Sequence, residues 1–215
     1  MRFAGVIFDL DGTLADTRED LADATNRILA AEGLPVHDYA SFGAMIGAGV
    51  RNLVTEALPA ERRTDEVIAR CVAAMMADYG RHCLVKTRLY DGVAETVARL
   101  RAGAVKLAVL SNKPDELTRR IVEGLLHAGD FEEIVGARPD VPPKPDPAAA
   151  LLVGGRLGLS AGSIAFLGDT GIDMATAAAA GMFAVGASWG FRSAGELLDN
   201  GARVVLAQPL ELLDL

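Results

Sequence analysis

The chain has 215 residues, of which 51% are hydrophobic and 23% are charged, and its formal net charge is −8. This length can bury a sizeable core, and this composition excludes an intrinsically disordered chain. The acidic balance argues against a nucleic-acid partner and against an anionic membrane surface, since both require a basic face. We therefore expect a globular protein, which would need a cation if it handles phosphate.

Neither a secretory signal nor a membrane span is expected. The opening apolar run is interrupted at Asp9, and no later apolar run reaches the roughly 18 residues of a membrane-crossing helix. Cys71 and Cys83 lack the spacing of a metal site, so we expect both to be reduced thiols in the core. These features predict a cytoplasmic protein.

Taken in chain order, the predicted elements begin with a strand at residues 3–8, which is followed by a long helical region. The spacing of apolar residues predicts helices at 17–33, 49–58 and 61–79, with no convincing strand among them. Further β-rich runs then alternate with helical stretches, at 105–110, 131–137, 163–168, 183–188 and 203–207.

This order of elements predicts an α/β fold with a Rossmann-like parallel sheet. Residues 1–15 and 83–215 would form the α/β core, and residues 16–82 would form a small all-helical cap that is inserted after the first strand. The two linkers between these parts would act as hinges.

Two carboxylates directly follow the first strand. Asp9 comes after the apolar run VIF, and Asp11 opens the motif DGT. Ligands of open parallel sheets bind at the carboxyl ends of the strands, which places both residues at the expected site. A carboxylate this close to the core costs several kcal/mol unless it is paired or bound to a metal. For Asp16 and Thr17 we favour a plainer interpretation, as the N-cap of the next helix.

Later segments place further polar groups at or beside strand ends, namely Ser111 and Asn112, then Lys144, then Asp169 and Asp173. Taken singly, each group has an ordinary explanation as a helix cap or a solvated loop charge. Their shared position at one edge of the sheet favours a functional site.

Four motifs, in the order DLDGT, LSNKP, KPDP and GDTGIDMATAAAAG, resemble those of the haloacid dehalogenase superfamily and are similar to its phosphatase branch. The inserted helical unit resembles the small helical cap of the first subfamily. Within it, DLADATNRILAAEGLP and MIGAGVRNLVTEAL, together with SWGFR in the core, resemble the phosphoglycolate phosphatase group.

The resemblance implies a Mg²⁺-dependent phosphatase that works through an aspartyl-phosphate. Asp9 would be the nucleophile and would also bind Mg²⁺, together with Asp169 and the backbone carbonyl of Asp11. Asp173 would lie behind these ligands. The side chain of Asp11 would protonate the leaving alkoxide and then take a proton from the attacking water.

The same resemblance implies further contacts to the substrate. Ser111 would hydrogen-bond a phosphoryl oxygen, and Lys144 would lie between Asp9 and the phosphate, where it offsets negative charge. Thr13 and the backbone amide of Asn112 are expected to be additional donors.

The cap segment GAGVRN, at 47–52, is predicted to bind a substrate carboxylate. Its glycines could leave backbone N–H groups open, and Arg51 could bind the same carboxylate, although a solvated helix charge explains Arg51 equally well. A small cap leaves room for a compact leaving group, so the resemblance points to 2-phosphoglycolate as the substrate.

Several alternatives stay open at this point. A haloacid dehalogenase is disfavoured because Asp11 is present, whereas a phosphomutase, a sugar phosphatase or a pyrophosphatase would use the same core motifs. An inactive regulatory or binding protein on this fold would usually lack the catalytic carboxylates that this chain keeps. The expected partner is a small phosphorylated metabolite, and the protein would be a monomer or a homodimer.

Overall fold

The structure is a computed structural model and describes residues 2–215. Within these residues the strands are β1 (Gly5–Phe8), β2 (Ala15–Asp16), β3 (Arg88–Leu89), β4 (Lys106–Pro114), β5 (Glu133–Ala137), β6 (Ile164–Gly168), β7 (Phe183–Ala187) and β8 (Val204–Leu206). A six-stranded parallel sheet has the order β5-β4-β1-β6-β7-β8, so β1 lies between β4 and β6.

The α-helices of the same residues are α1 (Arg18–Ala31), α2 (Tyr39–Met45), α3 (Val50–Ala57), α4 (Asp65–His82), α5 (Val93–Ala102), α6 (Asp115–Leu125), α7 (Ala148–Leu157), α8 (Gly171–Ala179) and α9 (Ala194–Asp199). Helices α1 to α4 come between β2 and β3 and pack on one another. The later helices alternate with the strands of the parallel sheet, as crossover connections require.

Both faces of the parallel sheet are covered. In β1, Val6 and Phe8 belong to one apolar cluster, and Ile7, which points to the opposite face, belongs to the other. All three side chains are almost completely inaccessible to solvent. A sheet that is buried on both faces needs continuous apolar runs rather than alternation, which explains the sequence of the strands.

The chain leaves and re-enters the core at one place. There β2 and β3 pair as short antiparallel strands. Close by, the carboxylate of Asp20 in α1 accepts hydrogen bonds from the backbone N–H of Lys86 at 3.0 Å and of Thr87 at 2.8 Å. The Thr87 hydroxyl donates to the same carboxylate at 2.8 Å. Asp20 is buried, so it ties the first cap helix to the returning segment.

The predicted fold class is confirmed, and each predicted strand of the sheet is present with somewhat different ends. The largest difference is in β4, which continues to Pro114 because the segment after Leu110 stays extended and rejoins β5 through a register shift. Helix α2 and strands β2 and β3 were not predicted, because they are too short to show a clear period. The domain boundaries at residues 16 and 83 stay a prediction.

Cys71 and Cys83 are buried free thiols, as expected. None of the helices within residues 2–215 is both long enough and apolar enough to cross a membrane.

Candidate active site

Asp9 lies at the carboxyl end of β1, in the middle of the sheet. Its Oδ1 accepts a hydrogen bond from the backbone N–H of Leu10 at 2.7 Å and lies 3.0 Å from Nζ of Lys144. The residue is only 4% exposed. Among residues 2–215 no hydrogen bond reaches the other oxygen, Oδ2. That oxygen is therefore available to a ligand.

Asp169 and Asp173 lie beside Asp9, and one oxygen of each of the three carboxylates falls within 4.8 Å of the others. Nζ of Lys144 lies 2.6 Å from Oδ1 of Asp173 and so stands between Asp9 and Asp173. One buried ammonium contacts two of these three buried carboxylates, so two negative charges stay uncompensated when all three are ionised. A divalent cation with a preference for oxygen ligands fits this charge and donor set.

The carboxylate of Asp169 is held on both sides. Its Oδ1 accepts from the Thr13 hydroxyl at 3.2 Å, and its Oδ2 accepts from the backbone N–H of Phe191 at 2.8 Å. Gly12 comes so close that a Cβ there would collide with this carboxylate, and its φ of 82° is in the left-handed region. The glycine of the DGT motif is therefore required for backbone conformation and for space.

Asp173 belongs to the first turn of α8. The Thr170 hydroxyl donates to Oδ2 of Asp173 at 2.6 Å, and the two residues form a reciprocal capping box at the start of the helix. Since Oδ1 of Asp173 binds Lys144, both of its oxygens already have protein partners. Its position behind the metal ligands stays a prediction.

Burial sets the protonation of this cluster. It raises the pKa of Asp9 from 3.8 to about 7, although Lys144 opposes this rise and Asp173 adds to it. Burial also raises the pKa of Asp169 well above its usual range, with further contributions from Asp173 and Asp9. Burial by itself would lower the pKa of Lys144, but its carboxylate neighbours outweigh burial and raise it. The protein alone thus keeps Lys144 charged and disfavours the ionised forms of Asp9 and Asp169.

Asp11 faces the cavity with a different set of partners. Its Oδ1 accepts from the Thr17 hydroxyl at 2.6 Å and lies 3.0 Å from Nζ of Lys113. Lys113 also donates to the Tyr79 hydroxyl at 3.1 Å. Thr17 occupies the N-cap position of α1, as expected, but its hydroxyl donates to Asp11 and does not cap the helix.

Ser111 and Asn112 lie near the end of β4, as expected. Oγ of Ser111 accepts from the backbone N–H of Lys113 at 3.2 Å. The Asn112 side chain accepts from the backbone N–H of Lys144 at 2.9 Å, and it donates to the carbonyls of Lys144 at 3.0 Å and of Gly47 at 3.1 Å. Asn112 therefore positions the Lys144 segment and contacts the cap.

A cavity opens above these residues, between the sheet and helices α1, α3 and α4, and it is continuous with solvent. Its floor is polar and is formed by Asp9, Asp11, Ser111, Asn112 and Lys113. Its opposite wall is mainly apolar and includes Ile46, Leu53 and Met75. The polar floor therefore suits the anionic end of a small molecule.

Two predicted substrate contacts do not line this cavity. Arg51 lies on the exposed side of α3, where its guanidinium is 2.5 Å from Oδ1 of Asp65 and 59% of its side chain is exposed. Thr13 is completely buried, and its hydroxyl donates to Asp169. A substrate contact for either residue stays a prediction.

Sequence reasoning gave no role to two polar residues of the cavity, Lys113 and Tyr79. Lys113 stands inside the motif LSNKP, so its position next to Ser111 and Asn112 was the one available signal. Tyr79 gave no signal, because it reaches the site from α4 through tertiary packing. The role of SWGFR was also missed, since its Phe191 backbone holds Asp169.

A model of the haloacid dehalogenase-like hydrolase family matches residues 3–181. The chain belongs to this family.

Several relatives of this chain are phosphatases. The chain is 34% identical over 192 residues to a phosphoglycolate phosphatase of Rhodospirillum rubrum, covering 86% of this chain and 80% of the relative. It is 30% identical to an N-acetylmuramic acid 6-phosphate phosphatase of Pseudomonas aeruginosa, covering 100% of this chain and 95% of the relative. A crystal structure of a candidate phosphoglycolate phosphatase from Lactobacillus delbrueckii subsp. bulgaricus gives a TM-score of 0.92 at 30% identity, covering 99% of this chain and 97% of that one.

The resemblance to the haloacid dehalogenase superfamily is therefore confirmed. The prediction of a phosphatase, rather than a binding protein on the same fold, is confirmed as well. This chain is a haloacid dehalogenase-type phosphatase that acts on small phosphomonoesters. Phosphatases of this family generally use a metal ion, and the buried cluster of Asp9, Asp169 and Asp173 could bind one.

Proposed function

We propose that the chain hydrolyses 2-phosphoglycolate to glycolate and phosphate in a Mg²⁺-dependent reaction, with the phosphoryl group carried on Asp9. The observation that most supports this proposal is the placement of Asp9. Its Oδ2 lacks a protein partner, it lies on the floor of an open cavity, and buried Lys144 stands beside it.

In the first step, a carboxylate oxygen of Asp9 forms a bond to phosphorus while the bond from phosphorus to the alkoxide oxygen of the substrate breaks. Protonated Asp11 gives its proton to that alkoxide, which leaves as an alcohol. Thr17 and Lys113 occupy Oδ1 of Asp11. Its Oδ2 is therefore the atom that we assign to proton transfer.

In the second step, a water oxygen forms a bond to phosphorus while the bond between phosphorus and Asp9 breaks. Asp11, now a carboxylate, takes a proton from this water, and Asp9 is released as a carboxylate. Lys144 offsets the charge of the phosphoryl group throughout, and Ser111 donates to one phosphoryl oxygen. The apolar wall of the cap limits the access of other water molecules to the site.

Bound Mg²⁺ would offset the negative charge that Lys144 leaves uncompensated. Asp9, Asp169 and the backbone carbonyl of Asp11 would hold it, with Asp173 behind them. The support for this assignment is the charge balance of the cluster, in which one ammonium contacts two of three buried carboxylates.

The names of the relatives support an acidic substrate. The Rhodospirillum relative is a phosphoglycolate phosphatase, and the Pseudomonas relative is a phosphatase of a phosphorylated sugar acid. Because the Pseudomonas relative covers the whole chain, a phosphorylated sugar acid is the second candidate substrate. The small helical cap favours the more compact of the two.

A substrate panel tests this proposal. We expect 2-phosphoglycolate to have a higher kcat/KM than N-acetylmuramic acid 6-phosphate, glucose 6-phosphate, a nucleotide and pyrophosphate. EDTA should abolish turnover, Mg²⁺ should restore it, and Ca²⁺, which prefers a larger and looser oxygen shell, should restore little. A clear preference for a neutral sugar phosphate or for pyrophosphate would contradict the substrate assignment, and full activity without metal would contradict the metal assignment.

A further inference from the structure

The cavity holds a cation to which the proposed chemistry assigns no contact with the substrate. Among the described residues that line it, Lys113 is the one basic side chain, and only 4% of that side chain is exposed. Its ammonium contacts Oδ1 of Asp11 at 3.0 Å and the hydroxyl of Tyr79 at 3.1 Å. An ammonium carries three N–H donors, so one stays available to a ligand.

We propose that Lys113 is the specificity-determining residue for an acidic leaving group, and that it binds the substrate's carboxylate together with the Tyr79 hydroxyl. This inference rests on the proposed function and deepens it. It assigns the preference for phosphorylated acids to the floor of the cavity rather than to the exposed surface of the cap.

Charge is the first argument for this assignment. The other charged residues that line the cavity, Asp9 and Asp11, are carboxylates, and they would repel an anionic leaving group. The cap wall beside them contributes Ile46, Leu53 and Met75, which cannot solvate an anion. Placing a carboxylate there without a partner costs several kcal/mol. A cation inside the cavity would offset this cost for an acidic substrate, and Lys113 supplies it.

The Tyr79 hydroxyl is a second donor at the same place. It accepts from Lys113, and no acceptor for its own proton is found within residues 2–215. Burial raises the pKa of Tyr79 well above its usual range, and Asp11 adds to this effect, so the hydroxyl keeps its proton. The nitrogen of Lys113 and the oxygen of Tyr79 thus form a pair of donors suited to the two oxygens of one carboxylate.

Arg51, the cation that the sequence suggested for this carboxylate, is placed less favourably. Its guanidinium pairs with Asp65 on the exposed side of α3, and Arg51 does not line the cavity. Salt screens such an exposed group, whereas the buried ammonium of Lys113 acts at short range in a less polar environment.

The test compares two substrates that differ only in the proposed contact. 2-Phosphoglycolate and 2-hydroxyethyl phosphate share a two-carbon skeleton and a primary alkoxide leaving group, but only the first has a carboxylate. We expect the wild-type chain to prefer 2-phosphoglycolate in kcat/KM. Lys113→Met should reduce that preference about 10- to 100-fold, the range expected for a hydrogen bond to a charged group.

Three further variants complete the design. Arg81→Met, which removes an exposed cation from the same helix as Tyr79, should leave the preference for the acid unchanged. Tyr79→Phe should reduce it about two- to tenfold, as expected for a single hydrogen bond. This variant also carries the test if Lys113→Met does not fold. Arg51→Ala is measured in parallel.

The outcomes separate this inference from the proposed function. If the wild type shows no preference for the acid, the proposed substrate is wrong, and the specificity role of Lys113 falls with it. If the wild type prefers the acid but Lys113→Met lowers kcat/KM equally for both substrates, Lys113 acts only through Asp11 and the inference is overturned. A loss of preference in Arg51→Ala but not in Lys113→Met would overturn it as well.

Discussion

The ammonium of Lys144 lies 3.0 Å from Oδ1 of Asp9, at a point where both side chains are almost completely buried. The same ammonium contacts Asp173 at 2.6 Å, so one cation bridges two carboxylates. Lys144 comes from a segment that Asn112 fixes through backbone hydrogen bonds at both its N–H and its carbonyl. The positive charge of Lys144 beside the proposed nucleophile is therefore held in place by the buried core.

Lys144→Met should destabilise the protein as well as inactivate it. Methionine keeps most of the side-chain volume but leaves Asp9 and Asp173 without their shared cation. Removal of one partner of a buried ion pair lowers the free energy of unfolding by about 3 to 5 kcal/mol. Urea denaturation of the metal-free protein measures this loss. Lys86→Met, which removes an exposed lysine that pairs with Asp23, is the matched control and should cost much less.

Stabilisation by Mg²⁺ should depend on pH. The pKa of Asp9 is about 7 in the folded chain and 3.8 when unperturbed, so the unfolded chain releases this proton at lower pH. Between these values the folded state binds more protons, and the stability of the metal-free protein falls as the pH rises. Metal needs the ionised carboxylates, so it should raise Tm more at about pH 8 than at about pH 5. An equal rise at both pH values would contradict the assignment of Asp9 as a ligand.

Asp20→Ala should weaken the connection between the cap and the core. The change leaves the backbone N–H groups of Lys86 and Thr87 without their buried acceptor. Hydrogen bonds to a charged group are worth about 1.5 to 3 kcal/mol each, and we expect at least one such loss in the free energy of unfolding. Asp23→Ala, on the same helix but with exposed partners, should cost about 1 kcal/mol or less. Comparable losses of unfolding free energy in the two variants would show that Asp20 has no special role where the cap joins the core.

Much of the site could be predicted because its residues follow strands. Asp9, Ser111 and Asp169 each come after a continuous apolar run, and the carboxyl ends of parallel strands meet at one edge of the sheet. Errors of a few residues in the predicted ends of the strands do not change this inference. The same reasoning placed Lys144 near the site, although the hydrogen bonds of Asn112 that hold it there could not be seen in the sequence.

The rest depends on how the cap packs against the core. Tyr79 reaches Lys113 from a helix that is more than thirty residues earlier in the chain, and no local period encodes that contact. The hydroxyl of Thr17 had two possible partners, the N–H groups at the start of α1 and the carboxylate of Asp11, and only the folded chain decides between them. Arg51 had the chemistry of a carboxylate ligand, but the orientation of α3 directs it to Asp65.

The phosphoryl group on Asp9 is the central claim, and a burst experiment tests it most directly. Asp11→Asn should still react with p-nitrophenyl phosphate, because p-nitrophenolate leaves without a proton, but it should release phosphate slowly because the attacking water has lost its base. We expect one p-nitrophenolate per active site in a burst, together with one phosphoryl group on the peptide that contains Asp9, detected by mass spectrometry. Asp9→Asn should show neither. Steady turnover by Asp11→Asn without a burst or a modified peptide, or substantial hydrolysis by Asp9→Asn, would contradict the account.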